Sequence, residues 1–281
     1  MSLKIDSSLP LANLTYKIPQ IGFGVYQSPP QTCVNSCLKA IEAGYRHIDT
    51  AQYYENEKEV GRAQSESQLP RSELYLTSKI LSPGEDVQST YKKIAQSVVK
   101  LDGPDGYADL FLVHSPNGGA EARKLMWQAL EEAKEQSIVR DIGVSNYGIQ
   151  QIEEIKTIGE IWPPVVNQIE LHPWCQQREI VEYCRKNKII VEAYCPLVRN
   201  EKANDKTLVG ISEKHNVSPN QVLVRWSLQK GFVPLPKSDT PTRIVSNADV
   251  YKFELDKDDM NKLDGLDQGK EGAIVEAVTN E

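Results

Sequence analysis

Four side chains that together could move a proton each follow or end a short apolar run. Asp49 and Tyr54 lie in the stretch GYRHIDTAQYYENEKEVG, residues 44–61. Lys79 closes LYLTSK, and His114 closes LFLVH. A free tyrosine titrates near pH ~10 and is a poor acid at neutrality. A neighbouring ammonium stabilises phenolate and is expected to lower that value. A buried lysine keeps its charge only when paired, and Asp49 can supply the pair. A histidine beside the phenol can orient a carbonyl or share its proton. Assistance of this kind is worth roughly 10²–10⁴ in rate. The reaction it suits is attack of hydride on a polarised carbonyl. Taken singly, each residue has a plainer reading: a structural Asp–Lys ion pair, a half-buried packing tyrosine, a hydrogen-bonded core histidine. Only their convergence in one place would make the set chemical.

The surrounding pattern predicts that convergence. Apolar, β-rich runs recur at residues 21–25, 46–49, 74–79, 110–114, 141–145, 165–170, 189–195 and 232–236. Continuous apolar strands are buried on both faces, as in parallel sheets. Helical patterns fall between them at 32–42, 57–68, 87–101, 120–136, 149–157, 178–187 and 219–229, and Thr240-Pro241 opens one more. Ser218-Pro219 reads as an N-cap before a first-turn proline, and Gly44 as a C-terminal cap. Eight strand–helix alternations in ~250 residues predict a (β/α)8 TIM barrel, whose strand C-termini share one mouth. An open doubly wound sheet is the rival. No Gly-x-Gly-x-x-Gly supports it, since Gly22-Phe23-Gly24 lacks the third glycine. Residues 3–18 read as two short strands around an SSLP turn, an N-terminal β-hairpin closing the bottom of the barrel. No repeat or linker divides the chain. Residues 1–281 are expected to form one domain, with a core from about 17 to 266 and a polar surface tail at 267–281.

Composition narrows the partners. A net charge of −7 argues against a general nucleic-acid or anionic-membrane surface. No apolar run approaches the ~20 residues of a membrane span. The N-terminus has no secretory-type apolar core, so the cytoplasm is the expected compartment. Five cysteines (Cys33, Cys37, Cys175, Cys184, Cys195) include no Cys-x-x-Cys, and the four histidines are scattered. No metal site is expected, and the thiols read as reduced.

Seven ordered blocks carry a family resemblance over residues 17–266: GYRHIDTAQYYENEKEVG, LYLTSK, LFLVHSP, DIGVSN, VVNQIELHP, EAYCPL and PLPKSDTPTRIVSN. The chain resembles the aldo-keto reductases, NADP(H)-dependent (β/α)8 barrels. The resemblance implies reduction of aldehydes or ketones, with Tyr54 as general acid, Asp49 and Lys79 tuning it, and His114 orienting the substrate carbonyl. It implies that Ser145, Asn146 and Gln168 bind the nicotinamide carboxamide and that Tyr194 stacks on the ring. Gly24, Val25, Tyr26, Asp49, Cys195, Pro196 and Leu197 complete the implied cofactor site. Lys237, Ser238 and Arg243 open the last helix as a local basic pocket suited to a phosphate. By resemblance they hold the 2′-phosphate of NADPH, with Asn247 near the adenine. The substrate pocket is expected from Tyr26, Tyr54, His114 and Ser115, with Tyr53 and Trp174 as further lining. A monomer acting on a small carbonyl compound is the implied state.

The chain departs from the family pattern around that pocket. Ser115 stands where many relatives carry a bulky aromatic, Ile80-Leu81 where many carry Leu-Trp, Cys195 for a common serine and Val25 for a common threonine. Residues 198–206 form a short loop after the seventh strand, and the C-terminal tail is short. Two other classes compete. One is an NADPH-binding redox sensor or partner-regulating barrel with little turnover. The other is a Schiff-base aldolase using Lys79, against which the presence of Asp49 argues.

Overall fold

The structure, a computed structural model, describes residues 3–12 and 15–279. Two antiparallel strands come first, β1 (Ser8–Pro10) and β2 (Lys17–Pro19), with Leu9 opposite Ile18. Eight parallel strands follow: β3 (Phe23–Gly24), β4 (His47–Asp49), β5 (Tyr75–Ile80), β6 (Ala108–Val113), β7 (Val139–Ser145), β8 (Val166–Glu170), β9 (Ile190–Tyr194) and β10 (Val233–Pro234). Each pairs with the next in sequence order. The sheet closes on itself through backbone bonds from Gly22 N–H to Pro234 O (3.0 Å) and from Gly24 N–H to Pro236 O (3.2 Å). Glycine is required at that seam. A Cβ on Gly22 would lie 2.5 Å from Leu235 Cδ2, and one on Gly24 would lie 3.2 Å from the Leu235 carbonyl oxygen. The expected (β/α)8 barrel is the observed fold.

Every residue of β5 and β6 is buried. Their outward side chains, among them Ile80, Phe111 and Val113, join the large core beneath the helices, while Leu110 and Leu112 fill the barrel with Val166, Val233 and Leu235. Leu11 and Ile18 of the hairpin region belong to that inner cluster, so the hairpin plugs the N-terminal end as expected. The expected SSLP turn is itself strand β1. The connection between β1 and β2 includes residues 13–14, which lie outside the described residues.

Helices α1 (Pro30–Glu42), α2 (Glu57–Glu66), α3 (Val87–Asp102), α4 (Gly119–Glu135), α5 (Ile149–Ile158) and α6 (Arg178–Lys186) follow the predicted pattern. So do α8 (Pro219–Gln229) and α9 (Pro241–Ala248), which follow α7 (Lys206–His215) in the chain. Ser218 caps α8 reciprocally with Gln221, and Gly44 takes φ +101° after α1. Two helices were not predicted, α7 and α10 (Lys257–Asp264). Asp205 caps α7 by accepting from the Thr207 and Leu208 amides, and Asp256 forms a capping box with Asp259. Both helices bury few apolar side chains, so end caps rather than an apolar stripe mark them in the sequence.

Residues 267–279 do more than the expected surface tail. The Gln268 amide donates to Trp174 O at 2.9 Å, and the amides of Ile274, Val275 and Glu276 converge on the Glu170 carboxylate at 2.5–2.7 Å. Glu170 is fully buried at the end of β8, so the segment is fastened across the mouth of the barrel. Residues 280–281 lie outside the described residues. Among the described residues no helix is long and apolar enough to cross a membrane.

Candidate active site

Lys79 points inward from β5 and is fully buried. Its ammonium donates to Asp49 Oδ1 (2.7 Å) and Oδ2 (2.9 Å), to Thr50 O (2.9 Å) and to the Tyr54 hydroxyl (3.4 Å). Asp49 ends β4, and Tyr54 closes a tight turn at Gln52–Tyr54 just beyond it. Asn56, also fully buried, pins that turn. It accepts from Thr50 Oγ1 (2.7 Å) and donates to Val25 O (2.9 Å) and Ser28 O (3.2 Å). Gln52 ties the same turn outward to Ser97 and to the Leu81 amide. His114 follows β6, its ring edge-on to Tyr54 at 5.7 Å between centroids and to Tyr53 at 6.0 Å. The four residues thus meet as the sequence predicted.

Their electrostatics differ from the prediction in one respect. Burial raises the Tyr54 phenol above the usual tyrosine range, and the Lys79 charge pulls it down without reversing the shift. The phenol is therefore a neutral proton donor at physiological pH. Burial works against the Lys79 charge, but the surrounding groups together, Asp49 foremost among them, outweigh it, and the ammonium is held more firmly than in water. Burial, with Lys79 adding, drives the His114 imidazole down to about 3, so this ring is neutral.

Asp49, Tyr54 and His114 face a cavity of about 680 Å³ at the C-terminal end of the barrel, while Lys79 lies buried behind them and does not line it. Of the expected cofactor and substrate residues, Gly24, Tyr26, Asp49, Tyr54, His114, Ser115, Ser145, Asn146, Gln168, Tyr194, Cys195, Pro196, Leu197 and Lys237 line it, as does Tyr53. Others do not. Val25 is fully buried and bonded through its backbone to Asp49 and Asn56. Trp174 is buried against His172 away from the cavity, so it is no pocket wall. Ser238, Arg243 and Asn247 lead from Lys237 into α9, with Arg243 exposed and Asn247 buried, and none reaches the cavity wall.

The amide-bearing corner is tightly organised. Ser145 Oγ donates to Gln168 O (2.9 Å), and Asn146 donates from Nδ2 to His114 O (3.2 Å) while accepting from Tyr194 Oη (3.0 Å). Gln168 directs its Nε2 inward to Asp49 Oδ2 (2.9 Å) and Glu192 Oε2 (2.7 Å). Among the described residues nothing donates to Gln168 Oε1, on the cavity side of this corner. An open acceptor beside two polar side chains fits a ligand amide. At the other end, Lys237 Nζ is engaged by Asp239 Oδ2 at 2.6 Å, and Asp239 Oδ1 accepts from Ser28 Oγ (2.5 Å) and Ser36 Oγ (2.9 Å). The basic pocket therefore contains a carboxylate, which the sequence reading left out.

Leu81, one of the departures noted around the pocket, lines the cavity, and Arg199, Asn117, Val275 and Glu276 are lining residues that the reading did not single out. Arg199 sits in a run where Val198, Arg199 and Asn200 take φ of +45°, +49° and +63°. A β-branched residue in that region is unusual, and such strain gathers at functional sites. Nothing in the local sequence announces it. Val275 and Glu276 are held there by Glu170, which captures their amides, with Tyr194 Oη and Gln177 Oε1 bonding the same segment at Glu276 O and the Val278 amide.

A neutral phenol beside a charged lysine, open to the barrel mouth, is an arrangement able to donate a proton to an oxygen atom held in the cavity. Residues 20–268 match the model of the aldo/keto reductase family, and the chain belongs to that family. It is 44% identical over 256 residues, 90% of this chain and 91% of the other, to an uncharacterised oxidoreductase of Schizosaccharomyces pombe. It is 39% identical over 253 residues, 90% of each, to the glyoxal reductase of Bacillus subtilis. The aldo-keto reductase MGS-M4, from a Medee basin deep-sea metagenome, superposes with a TM-score of 0.88 at 37% identity over 94% of this chain and 96% of its own. The protein is an oxidoreductase acting on the carbonyl groups of small molecules, in a family that uses a nicotinamide cofactor.

Proposed function

We propose that the protein reduces aldehyde or ketone carbonyls to alcohols with NADPH, and that Tyr54 supplies the proton. The observation that carries this reading is the Tyr54 hydroxyl, 3.4 Å from a Lys79 ammonium that Asp49 keeps charged, at the wall of the cavity. A bound NADPH supplies the hydride to the carbonyl carbon. Tyr54 O–H donates to the substrate oxygen as it becomes an alkoxide, and Lys79 stabilises the phenolate left behind. Asp49 neutralises Lys79, so the buried ammonium persists through the cycle. Neutral His114 orients the carbonyl with a ring nitrogen. Gln168, Ser145 and Asn146 hold the nicotinamide amide, and Tyr194 offers its ring beside them. Lys237, with Ser238 and Arg243 on the adjoining turn, receives the 2′-phosphate, and Asn247 supports the adenine end.

Tyr26 and Tyr53 stack with centroids 6.4 Å apart, and Ser115 leaves room where a bulkier side chain would narrow the entrance. Glyoxal, the substrate named for the B. subtilis relative, heads the compounds to try. The test is NADPH oxidation at 340 nm over aldehydes, α-dicarbonyls and sugars, with NADH in parallel, for the wild type and Tyr54→Phe. Loss of most turnover in Tyr54→Phe, with NADPH binding kept, is expected. Substantial turnover in that variant would remove the tyrosine mechanism. Tight NADPH binding without turnover of any compound would favour a redox sensor.

A further inference from the structure

Glu192, on β9, is fully buried inside the barrel, and the proposed chemistry makes no use of it. Its Oε2 accepts from Gln168 Nε2 at 2.7 Å, and the same nitrogen donates to Asp49 Oδ2 at 2.9 Å. Asp49 is ionised against Lys79, so the Gln168 atom facing it has to be a donor. Both amide hydrogens are thereby used inside the barrel, and the Gln168 oxygen is turned toward the mouth. Without Glu192, one N–H would lose its acceptor in a dry interior, and the amide would be free to rotate.

The groups facing Glu192 are Asp49 and His47 from β4, Lys79 and Tyr75 from β5, and Gln168 from β8. Among the described residues its Oε1 has no hydrogen-bond partner. His47 Nε2 is 3.7 Å away and bonded to Thr77 Oγ1 at 3.0 Å. Lys79 already balances Asp49, so an ionised Glu192 would be a surplus negative charge in the core. Burial and then the Asp49 charge push the Glu192 carboxyl up to about 8, which leaves it a neutral acid at pH 7.

We infer that Glu192 is a positioning residue for the nicotinamide amide: with Asp49 it clamps the Gln168 N–H pair and so presents the Gln168 oxygen to the ligand. This rests on the nicotinamide reading of the Gln168 corner. It carries a pH signature that a packing role lacks. Above about pH 8 the carboxyl becomes a carboxylate. The added charge attracts the cationic ring of NADP+ and leaves the neutral ring of NADPH almost unaffected.

Titrations of NADPH and NADP+ by fluorescence from pH 6 to 9.5, with thermal midpoints alongside, test it in Glu192→Leu, Glu192→Gln and Gln168→Leu. Glu192→Leu should weaken NADPH binding roughly threefold to tenfold, the worth of one hydrogen bond. Glu192→Gln keeps an acceptor and should bind NADPH within about twofold of wild type. In the wild type the Kd ratio of NADP+ to NADPH should fall as pH rises through about 8. In Glu192→Gln it should stay flat. A Glu192→Leu protein that melts earlier but binds normally would overturn the inference, as would a pH dependence persisting in Glu192→Gln. If Glu192→Leu fails to fold, the Glu192→Gln profile decides alone. Unchanged binding in Gln168→Leu would instead sink the nicotinamide reading on which the clamp depends.

Discussion

Lys79 and Asp49 form a two-point ion pair inside the barrel, 2.7 and 2.9 Å from nitrogen to each oxygen, with the lysine fully buried and the aspartate nearly so. A buried pair of this kind adds little net stability when intact, but removing one partner strands the other charge. Asp49→Asn leaves the Lys79 ammonium with neutral acceptors alone: the Asn oxygen, the Thr50 carbonyl and the Tyr54 hydroxyl. We expect a loss of about 3–5 kcal/mol in unfolding free energy, read from the denaturant midpoint, together with loss of turnover. Lys79→Met should abolish turnover as fully yet cost less stability, because protonation of Asp49 relieves the stranded carboxylate. Equal stability of Asp49→Asn and wild type would show that the pair is not the buried charge that the mechanism needs.

The pH dependence follows from groups that do not titrate near neutrality. Tyr54 lies above its usual range, Lys79 likewise, and His114 falls to about 3. Reductive kcat should therefore be flat from pH 5 to 8, and a step near pH ~6.5 that vanishes in His114→Gln would show a titrating imidazole. Stability behaves differently. Imidazole His114 has a folded pKa below its unfolded value, so its contribution is present above pH ~6.5 and is lost as pH falls toward about 3. His47, also at about 3, adds in the same direction. Glu192, raised to about 8, contributes below pH ~4.5 and loses that contribution as pH rises through about 8. Chemical denaturation across pH should find Glu192→Gln gaining on the wild type as pH rises from ~4.5 to about 8, and His114→Gln gaining as pH falls below ~6.

The barrel was legible because eight apolar runs alternate with amphipathic helices, and burial of β5 and β6 on both faces follows from such runs. The Asp49, Tyr54, Lys79 and His114 set was legible for a related reason: polar residues that end apolar strands must share the barrel mouth. Three features depend on contacts too remote in sequence to read. Asp239 meets Ser28 and Ser36 across more than 200 residues. Glu170 captures amides about 105 positions away. Glu192 becomes notable only when the sheet places it beside Gln168. Helix α7 was missed because its cap, Asp205, follows a loop of equally polar residues, and Gly210 interrupts its pattern.

Cofactor choice should turn on Lys237 and Asp239. The 2.6 Å pair neutralises the cation that the proposed phosphate requires, and the Asp239 carboxylate, held below its usual range despite burial, stays ionised at neutral pH. Lys237→Ala should raise the Kd of NADPH and leave that of NADH nearly unchanged. Asp239→Asn keeps acceptors for Ser28 and Ser36 while freeing Lys237, and should tighten NADPH by about two- to fivefold, the range of a partly exposed ion pair. Parallel titrations with both cofactors decide the matter. Equal shifts for NADPH and NADH in Lys237→Ala would remove the phosphate assignment.

Glu170 should act as the latch of the C-terminal segment. Three amides, from Ile274, Val275 and Glu276, donate to its carboxylate, and His172 Nε2 lies 2.8 Å from Oε1. Burial alone would raise this carboxyl, but the His172 and amide bonds outweigh it, and the net shift is downward. By linkage the latch is intact above pH ~4.5 and loosens as pH falls through the folded value. Glu170→Gln retains one acceptor oxygen and places an amide against donors, so the segment should open locally without unfolding the barrel. Hydrogen exchange should show the amides of 274–276 losing protection in Glu170→Gln while β5 and β6 keep theirs. The same variant should raise KM more than it lowers kcat, since Val275 and Glu276 line the cavity but lie outside the proton-transfer set. Unaltered protection at 274–276 would mean that other contacts hold the segment.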